Sequence, residues 1–407
     1  MTLLDEPSLV EELDAQLLFR EARQRRRRLR MVRSIFVVAV VAAVVVVGFE
    51  LHVIPGPGSR LHPSGSRPPL ATDTRSGATL VYAYNNLRVI NADTGASHSL
   101  PLPGPQGGSS DLSMVRIGGS FLLNRGNTAW LYRPGLHSPL VDLGPSLRVI
   151  PGPTANEAWI WSDRCATTVG CTSPDNGRQL GEVRLVDGSG DQVGSPILLP
   201  GDAAWFPTGD VVNSGIVLAN VYADPQADEI WNPMTNHVVR MLPGADVIAA
   251  TGDVVAWNTG RACLPHCTVQ FTDVRTGMMQ TIHLPLGVIG TDEGAFSPNG
   301  STLALPVGIG GAWPGSYPDA VVLIHLRTQA VNLLPGTEHQ ALGPTYGPQV
   351  VFWSSRGWLF VAVAGGTHVL SWRPGDQRAT VLSKVRLPPL SLNPPQFQTE
   401  YPTLIAM

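Results

Sequence analysis

An all-β chain assembled from a repeated four-stranded unit is the fold class this sequence predicts, and three observations predict it. First, 43 Gly and 36 Pro make up about a fifth of 407 residues, too many helix breakers for a mainly helical protein. Second, from Thr79 onward short β-branched and aromatic runs alternate with turn residues, as in strands joined by tight turns. Third, one hairpin recurs seven times: RVINADTGASHSLPL from Arg88, WLYRPGLHSPLVDL from Trp130, VRLVDGSGDQVGSPILLP from Val183, IWNPMTNHVVRMLPG from Ile230, QFTDVRTGMMQTIHLP from Gln270, LIHLRTQAVNLLPG from Leu323 and LSWRPGDQRATVLS from Leu370. Aligned on Gly95, Gly135, Gly190, Asn236, Gly277, Gln329 and Gly375, the copies are spaced by 40, 55, 46, 41, 52 and 46 residues. Periods of this size, with four short strands each, are what a β-propeller needs, because one small twisted sheet cannot bury both of its faces alone. Seven blades fit the count, with six or eight as the neighbouring possibilities.

The N-terminal part reads differently. Ser34 to Phe49 is an uncharged apolar run of 16 residues, about 24 Å of helix against a hydrocarbon core of roughly 30 Å. Leu51, Val53 and Ile54 extend it, giving a transmembrane segment over 34–54. Arg20, Arg23, Arg25, Arg26, Arg27, Arg28, Arg30 and Arg33 crowd its N-terminal side, so the positive-inside rule places that side in the cytoplasm. The n-region is long and no A-x-A site follows Phe49, which favours an uncleaved signal anchor over a cleavable signal peptide. Residues 1–33 form a short basic cytoplasmic segment in which Ser8 and Glu11 have capping-box spacing and the arginines close the helix. Residues 55–76 are a Pro/Gly/Ser linker. The propeller occupies 77–407 outside the cytoplasm, a single-pass protein of the cell membrane whose first partner is the lipid bilayer.

Within the repeated unit the recurring hairpin supplies strands c and d, counted outward from the axis, and the a-to-b hairpin lies upstream. In the sixth unit that hairpin reads GAFSPNGSTLALPV from Gly294. Phe296-Ser297-Pro298-Asn299-Gly300 followed by Leu303-Ala304 resembles the FSPDG-x-x-LA motif of TolB-like and WD40-like propellers, with Asn299 in place of the usual Asp. Trp205-Phe206-Pro207-Thr208-Gly209-Asp210 keeps a fragment of it, and the WD and GH signatures are absent. The resemblance implies a fold over roughly residues 77–385 and imports no activity. One Lys, Lys384, stands against 27 Arg, and together with the single apolar run the chain resembles actinobacterial single-pass membrane proteins.

Length differences between units locate the variable loops. The c-to-d turns are short throughout, so the extra residues fall between b and c, in 162–180, 222–229, 259–267 and 309–319. Connections of this type leave a propeller on one face, and loops on a rigid scaffold commonly carry binding. The expected rim therefore comprises Trp161, Asp163, Arg164, Tyr222, Asp224, Asp228, Arg261, His266, Trp313, Tyr317 and Asp319. Both cysteine pairs sit in these loops. In an oxidising compartment Cys165 with Cys171 and Cys263 with Cys267 read as two small disulfide loops. The alternative, a four-cysteine zinc site, lacks C-x₂-C spacing.

Chemistry is sparse. A formal charge of −3 offers no field for nucleic acid, and G-x-S-x-G, H-E-x-x-H and C-x-x-C are missing. Asp187 and Asp273 fall where turns want a side-chain acceptor. The innermost strands, such as 246–251 and 349–354, read as mostly apolar or small. No cofactor, metal or catalytic residue is assigned. Two functions stay open: an envelope module binding a protein, peptide or glycan through the rim, and a hydrolase or lyase using polar groups around the central channel.

Overall fold

The repeated hairpins become seven separate antiparallel sheets in a computed structural model, which describes residues 76–83, 86–103, 112–125, 127–134, 139–163, 181–200, 205–220, 227–259, 267–285, 287–291, 293–309, 320–338, 351–363, 368–387 and 403–406. All of these belong to the unit Thr74–Met407. The expected cytoplasmic segment and membrane span lie outside the described residues, and among the described residues no helix is long and apolar enough to cross a membrane. Ser76, assigned above to the linker, is buried and donates its N–H and hydroxyl to Asp93 Oδ1, each at 2.8 Å.

Blade 1 holds β1 (Thr79–Ala83), β2 (Asn86–Asn91) and β3 (Ser97–Pro101). Blade 2 is β4 (Ser113–Ile117), β5 (Ser120–Arg125), β6 (Thr128–Tyr132) and β7 (Leu140–Pro145). Blade 3 is β8 (Arg148–Pro151), β9 (Glu157–Asp163), β10 (Gly181–Asp187) and β11 (Gln192–Leu198). Blade 4 is β12 (Trp205–Val212), β13 (Gly215–Asn220), β14 (Ala227–Asn232) and β15 (His237–Pro243). Blade 5 is β16 (Asp246–Thr251), β17 (Val254–Asn258), β18 (Thr268–Asp273) and β19 (Met279–His283). Blade 6 splits its inner strand into β20 (Val288–Thr291) and β21 (Ala295–Phe296), followed by β22 (Thr302–Ile309), β23 (Ala320–His325) and β24 (Ala330–Leu333). Blade 7 is β25 (Val351–Trp353), β26 (Leu359–Ala362), β27 (Val369–Trp372) and β28 (Thr380–Val381). The remaining strand, β29 (Thr403–Ala406), pairs antiparallel with β1 in the register Leu80↔Ala406, Val81↔Ile405, Tyr82↔Leu404 and Ala83↔Thr403. Blade 1 thus takes its innermost strand from the far end of the chain, and the ring loses an exposed edge.

Ring closure is visible in the core. Seven hydrophobic clusters each join residues of two successive blades, and the cluster of Phe352, Phe360 and Val369 with Leu80, Tyr82 and Ile90 joins blade 7 to blade 1. The alternation of strand side chains explains this: Leu80 and Tyr82 point to blade 7, while Val81 and Ala83 point to blade 2. The inner strands β4, β8, β12, β16, β21, β25 and β29 each contact the next in order, and β29 contacts β4.

The c-to-d turns show why the repeats align where they do. Gly95, Gly190, Gly277 and Gly375 have positive φ, and so do Asn236 (53°) and Gln329 (58°), two of three non-glycine residues with positive φ among the described residues. A left-handed residue reverses the chain in a short turn, and Gly or Asn adopts it at least cost. Asp187 Oδ1 accepts the N–H of Ser189 at 2.9 Å, and Asp273 Oδ1 accepts that of Thr276 at 2.7 Å. The first is an Asx turn and the second reaches one residue further, and both are side-chain acceptors in a turn, as their positions suggested.

Candidate functional site

Two regions qualify: the face that carries the b-to-c connections, and the wall of the central channel. In every blade strand a runs from one face to the other and b returns, so b-to-c connections and the crossovers from d to the next a share a face. The connections of blades 3, 4, 5 and 6 span 164–180, 221–226, 259–267 and 310–319 between their strands, against the expected 162–180, 222–229, 259–267 and 309–319. Arg164, Tyr222, Asp224, Arg261, His266, Trp313, Tyr317 and Asp319 lie outside the described residues, as do Cys165, Cys171 and Cys263. Asp163 closes β9 opposite Gly181.

Two expected rim residues are not loop residues. Trp161 belongs to β9 and is buried against the blade 4 side of its sheet, in a cluster with Val183, Leu185, Leu218 and Trp231. Asp228 belongs to β14, is 1 % exposed, and accepts the N–H of Val247 at the start of blade 5 at 2.9 Å. Its carboxylate fastens one blade to the next. Both strands run further toward the face than their polar residues suggested. Cys267 is buried with its Sγ 3.2 Å from the carbonyl oxygen of Val288, and no described cysteine is a free thiol.

The channel wall carries charge that strand-by-strand reading did not bring together. In β12 the pairing steps from Pro207↔Leu218 to Val211↔Ile216, so three residues on the inner strand answer one, Val217, on its partner. Thr208, Gly209 and Asp210 form this bulge, with Gly209 at φ 104°. Arg148, first residue of β8 in the preceding blade, donates through Nη1 to the carbonyl oxygens of Pro207, at 3.0 Å, and of Thr208. Inside the bulge Thr208 Oγ1 donates to Asp210 Oδ2 at 3.1 Å and accepts the Asp210 N–H at 3.2 Å. Glu293 sits in the gap between β20 and β21 of blade 6, and Asp246 begins β16 of blade 5. Asp210 is half-buried on the inner strand of its blade. Burial is the main reason its carboxyl is pushed up to about 7, and the negative charge of Glu293 adds to it. The Thr208 hydroxyl and Arg148 oppose the rise, while Asp246 reinforces it. At neutral pH this carboxyl exchanges a proton readily. That suits it to general acid or base work or to holding a cationic group. Among the described residues no set of three His, Cys, Asp or Glu is placed to hold a metal ion.

Glu229, also in blade 4, is a second displaced carboxyl. It stands opposite Leu218 and Met241 on β14, and burial raises it to about 7. Its Oε1 is buried without a hydrogen-bond partner among the described residues. On the opposite face of the ring, where the a-to-b turns emerge, Arg116, Gly118, Gly119, Ala155 and Asn156 line an open depression of about 600 Å³ between blades 2 and 3. It lies away from both regions above.

No known family model matches the chain, and no curated protein matches it. Among solved structures it is similar to apo AztD from Citrobacter koseri, at 12% identity over 81% of this chain and 98% of that one, with a TM-score of 0.43. A functionally unknown protein from Desulfotomaculum acetoxidans DSM 771 gives 9% identity over 76% and 97%, TM-score 0.47. Kuenenia stuttgartiensis hydrazine synthase gives 14% over 66% and 78%, TM-score 0.42. Likenesses of this size carry no activity across, and the seven-bladed fold rests on the strand pairing and the seven interblade cores.

Proposed function

We propose that this chain is a membrane-anchored, extracytoplasmic binding module of the cell envelope, whose rim over blades 3 to 6 takes a protein, peptide or glycan. The observation that carries the reading is that the b-to-c connections of four successive blades, 164–180, 221–226, 259–267 and 310–319, leave on one face of the ring and exceed the two-residue ones of blades 1 and 2. Loops held on a rigid frame commonly supply recognition. Residues 34–54 anchor the chain with residues 1–33 in the cytoplasm and 77–407 outside, and the loops are tightened by disulfides Cys165–Cys171 and Cys263–Cys267. Nucleic acid is not a partner in this reading. The test replaces Trp313 and Tyr317 together by Ala and measures capture of partners from envelope membranes. Capture should fall severalfold with the melting temperature unchanged. Undiminished capture sinks the reading. A reporter fused at residue 407 should be active only outside the cytoplasm, and non-reducing mass spectrometry should recover the two pairs named.

A second reading, a hydrolase or lyase working at the channel, is favoured by the Asp210 carboxyl and the acids Asp246 and Glu293 near it. An ester, lactone or polysaccharide turned over by the full chain, with activity lost in Asp210→Asn and kept in the rim variant, would establish it.

A further inference from the structure

Methionine is ordinarily a core residue, chosen for its flexible, apolar thioether. Here the reverse holds. Of five methionines among the described residues, only Met114 is buried, at 7 % exposure between blades 1 and 2. Met234, Met241, Met278 and Met279 are 67, 49, 73 and 65 % exposed, and all four lie on the outer strands and c-to-d turns of blades 4 and 5.

These two edges are tied together. Arg240 on β15 donates its Nε–H to the carbonyl oxygen of Val274 in blade 5, at 2.9 Å. Its guanidinium lies so close over Gly277 that a β-carbon there would meet Nη1 at 2.7 Å. Gly277 adjoins Met278 and has φ 78°, so the turn carrying Met278 and Met279 is fixed beside the strand carrying Met241. Val238 and Val239 are exposed on the same strand. The result is a strip of outer edge two blades wide and rich in thioethers, in which Met241, paired with Glu229, faces the blade 3 side of its sheet while Met278 and Met279 lie on blade 5. None of its four methionines belongs to an interblade core.

We infer that this strip is a modification site, taking up oxygen as methionine sulfoxide from a peroxide and turning from apolar to polar while the ring stays intact. A lone pair of the thioether sulfur attacks one peroxide oxygen and the O–O bond breaks. The sulfur gains the oxygen and is oxidised by two electrons, and the other oxygen leaves, protonated, as water or an alcohol. Reactivity follows access, which separates these four from Met114. The new S–O dipole is solvated in place because each side chain already faces water. A sulfoxide reductase reverses the step. The inference does not depend on the rim or the channel.

The test exposes the purified full-length chain to hydrogen peroxide and maps oxygen uptake by peptide mass spectrometry. Met234, Met278 and Met279 should oxidise about tenfold or more faster than Met114, with Met241 between. The melting temperature should hold within about a degree, binding of an apolar fluorescent dye should fall severalfold, and methionine sulfoxide reductase should restore it. Replacing all four by Leu should keep the dye binding and abolish its response to peroxide. Oxidation of Met114 as fast as the strip, a collapse of the melting temperature on oxidation, or an unchanged dye response in the wild type would each overturn the inference. If the fourfold variant does not fold, the wild-type rate ratio and dye response decide alone.

Discussion

Blades 1 and 4 follow the same four-strand plan but are secured by different means. Blade 4 is continuous in sequence, from Trp205 to Pro243, and holds two carboxyls, Asp210 and Glu229, whose surroundings resist ionisation. Blade 1 buries no carboxyl among its described residues, but its inner strand comes from residues 403–406. Its cost is the chain entropy of bringing distant segments together; that of blade 4 is electrostatic and depends on pH. Equivalent positions in a repeat can therefore fail under different insults, and four experiments separate them.

The largest effect should come from breaking blade 1. Deleting residues 396–407 unpairs β1 and strips the inner wall between β25 and β4. Thermal scanning should show a fall of about 10 °C or more, with aggregation from the opened edge. A truncated chain that melts like the full one would refute closure by β29. Next, Asp228→Ala removes the acceptor that holds Val247 of blade 5. Leaving a buried N–H without that acceptor should cost about 1–3 kcal/mol in denaturant unfolding.

The third experiment reads the electrostatics of blade 4. Unfolded carboxyls ionise near pH 4, whereas Asp210 and Glu229 in the folded chain do so at about 7. Between those values the folded chain holds protons that the unfolded chain has released. Their contribution to stability is complete below about pH 4 and is lost as pH rises through 7. Glu229→Gln should flatten the decline between pH 5 and 8 by an amount on the order of 1–2 kcal/mol, with Asp210→Asn acting in the same direction. Parallel pH profiles for wild type and both variants would remove the electrostatic side of the comparison. The smallest effect sharpens the shared plan: Gln329→Gly relieves a left-handed residue (φ 58°) in the blade 6 turn and should stabilise by about 0.5–1 kcal/mol.

What was legible in the sequence follows from which constraints are local. Turns that demand positive φ at one residue write themselves as Gly, Asn or an Asx acceptor, which is why the seven hairpins aligned on Gly95, Asn236, Gln329 and their counterparts. The missing inner strand of blade 1 could be counted. The influence of Asp246 and Glu293 on Asp210 could not, because these residues share no spacing and feel one another's charge only once blades 4, 5 and 6 are assembled. The bulge at 208–210 also hid in a motif fragment that seemed merely to repeat a turn. Trp161 and Asp228 were read as loop residues because an Asp or an amphipathic ring at a strand end looks exposed until a neighbouring blade covers it. The exposed methionines carried no signal, since Met in a strand pattern reads as core.

The pairing of Leu80 with Ala406 sets a timetable as well as a shape. Contacts separated by more than 300 residues are the slowest to form, so six blades can be assembled while the first still lacks a strand. During that interval the chain is an open spiral, with the backbone of β1 unpaired along its inner edge. Proteolysis and misassociation find their window there, and kinetic lifetime should depend on how quickly four residues find their slot.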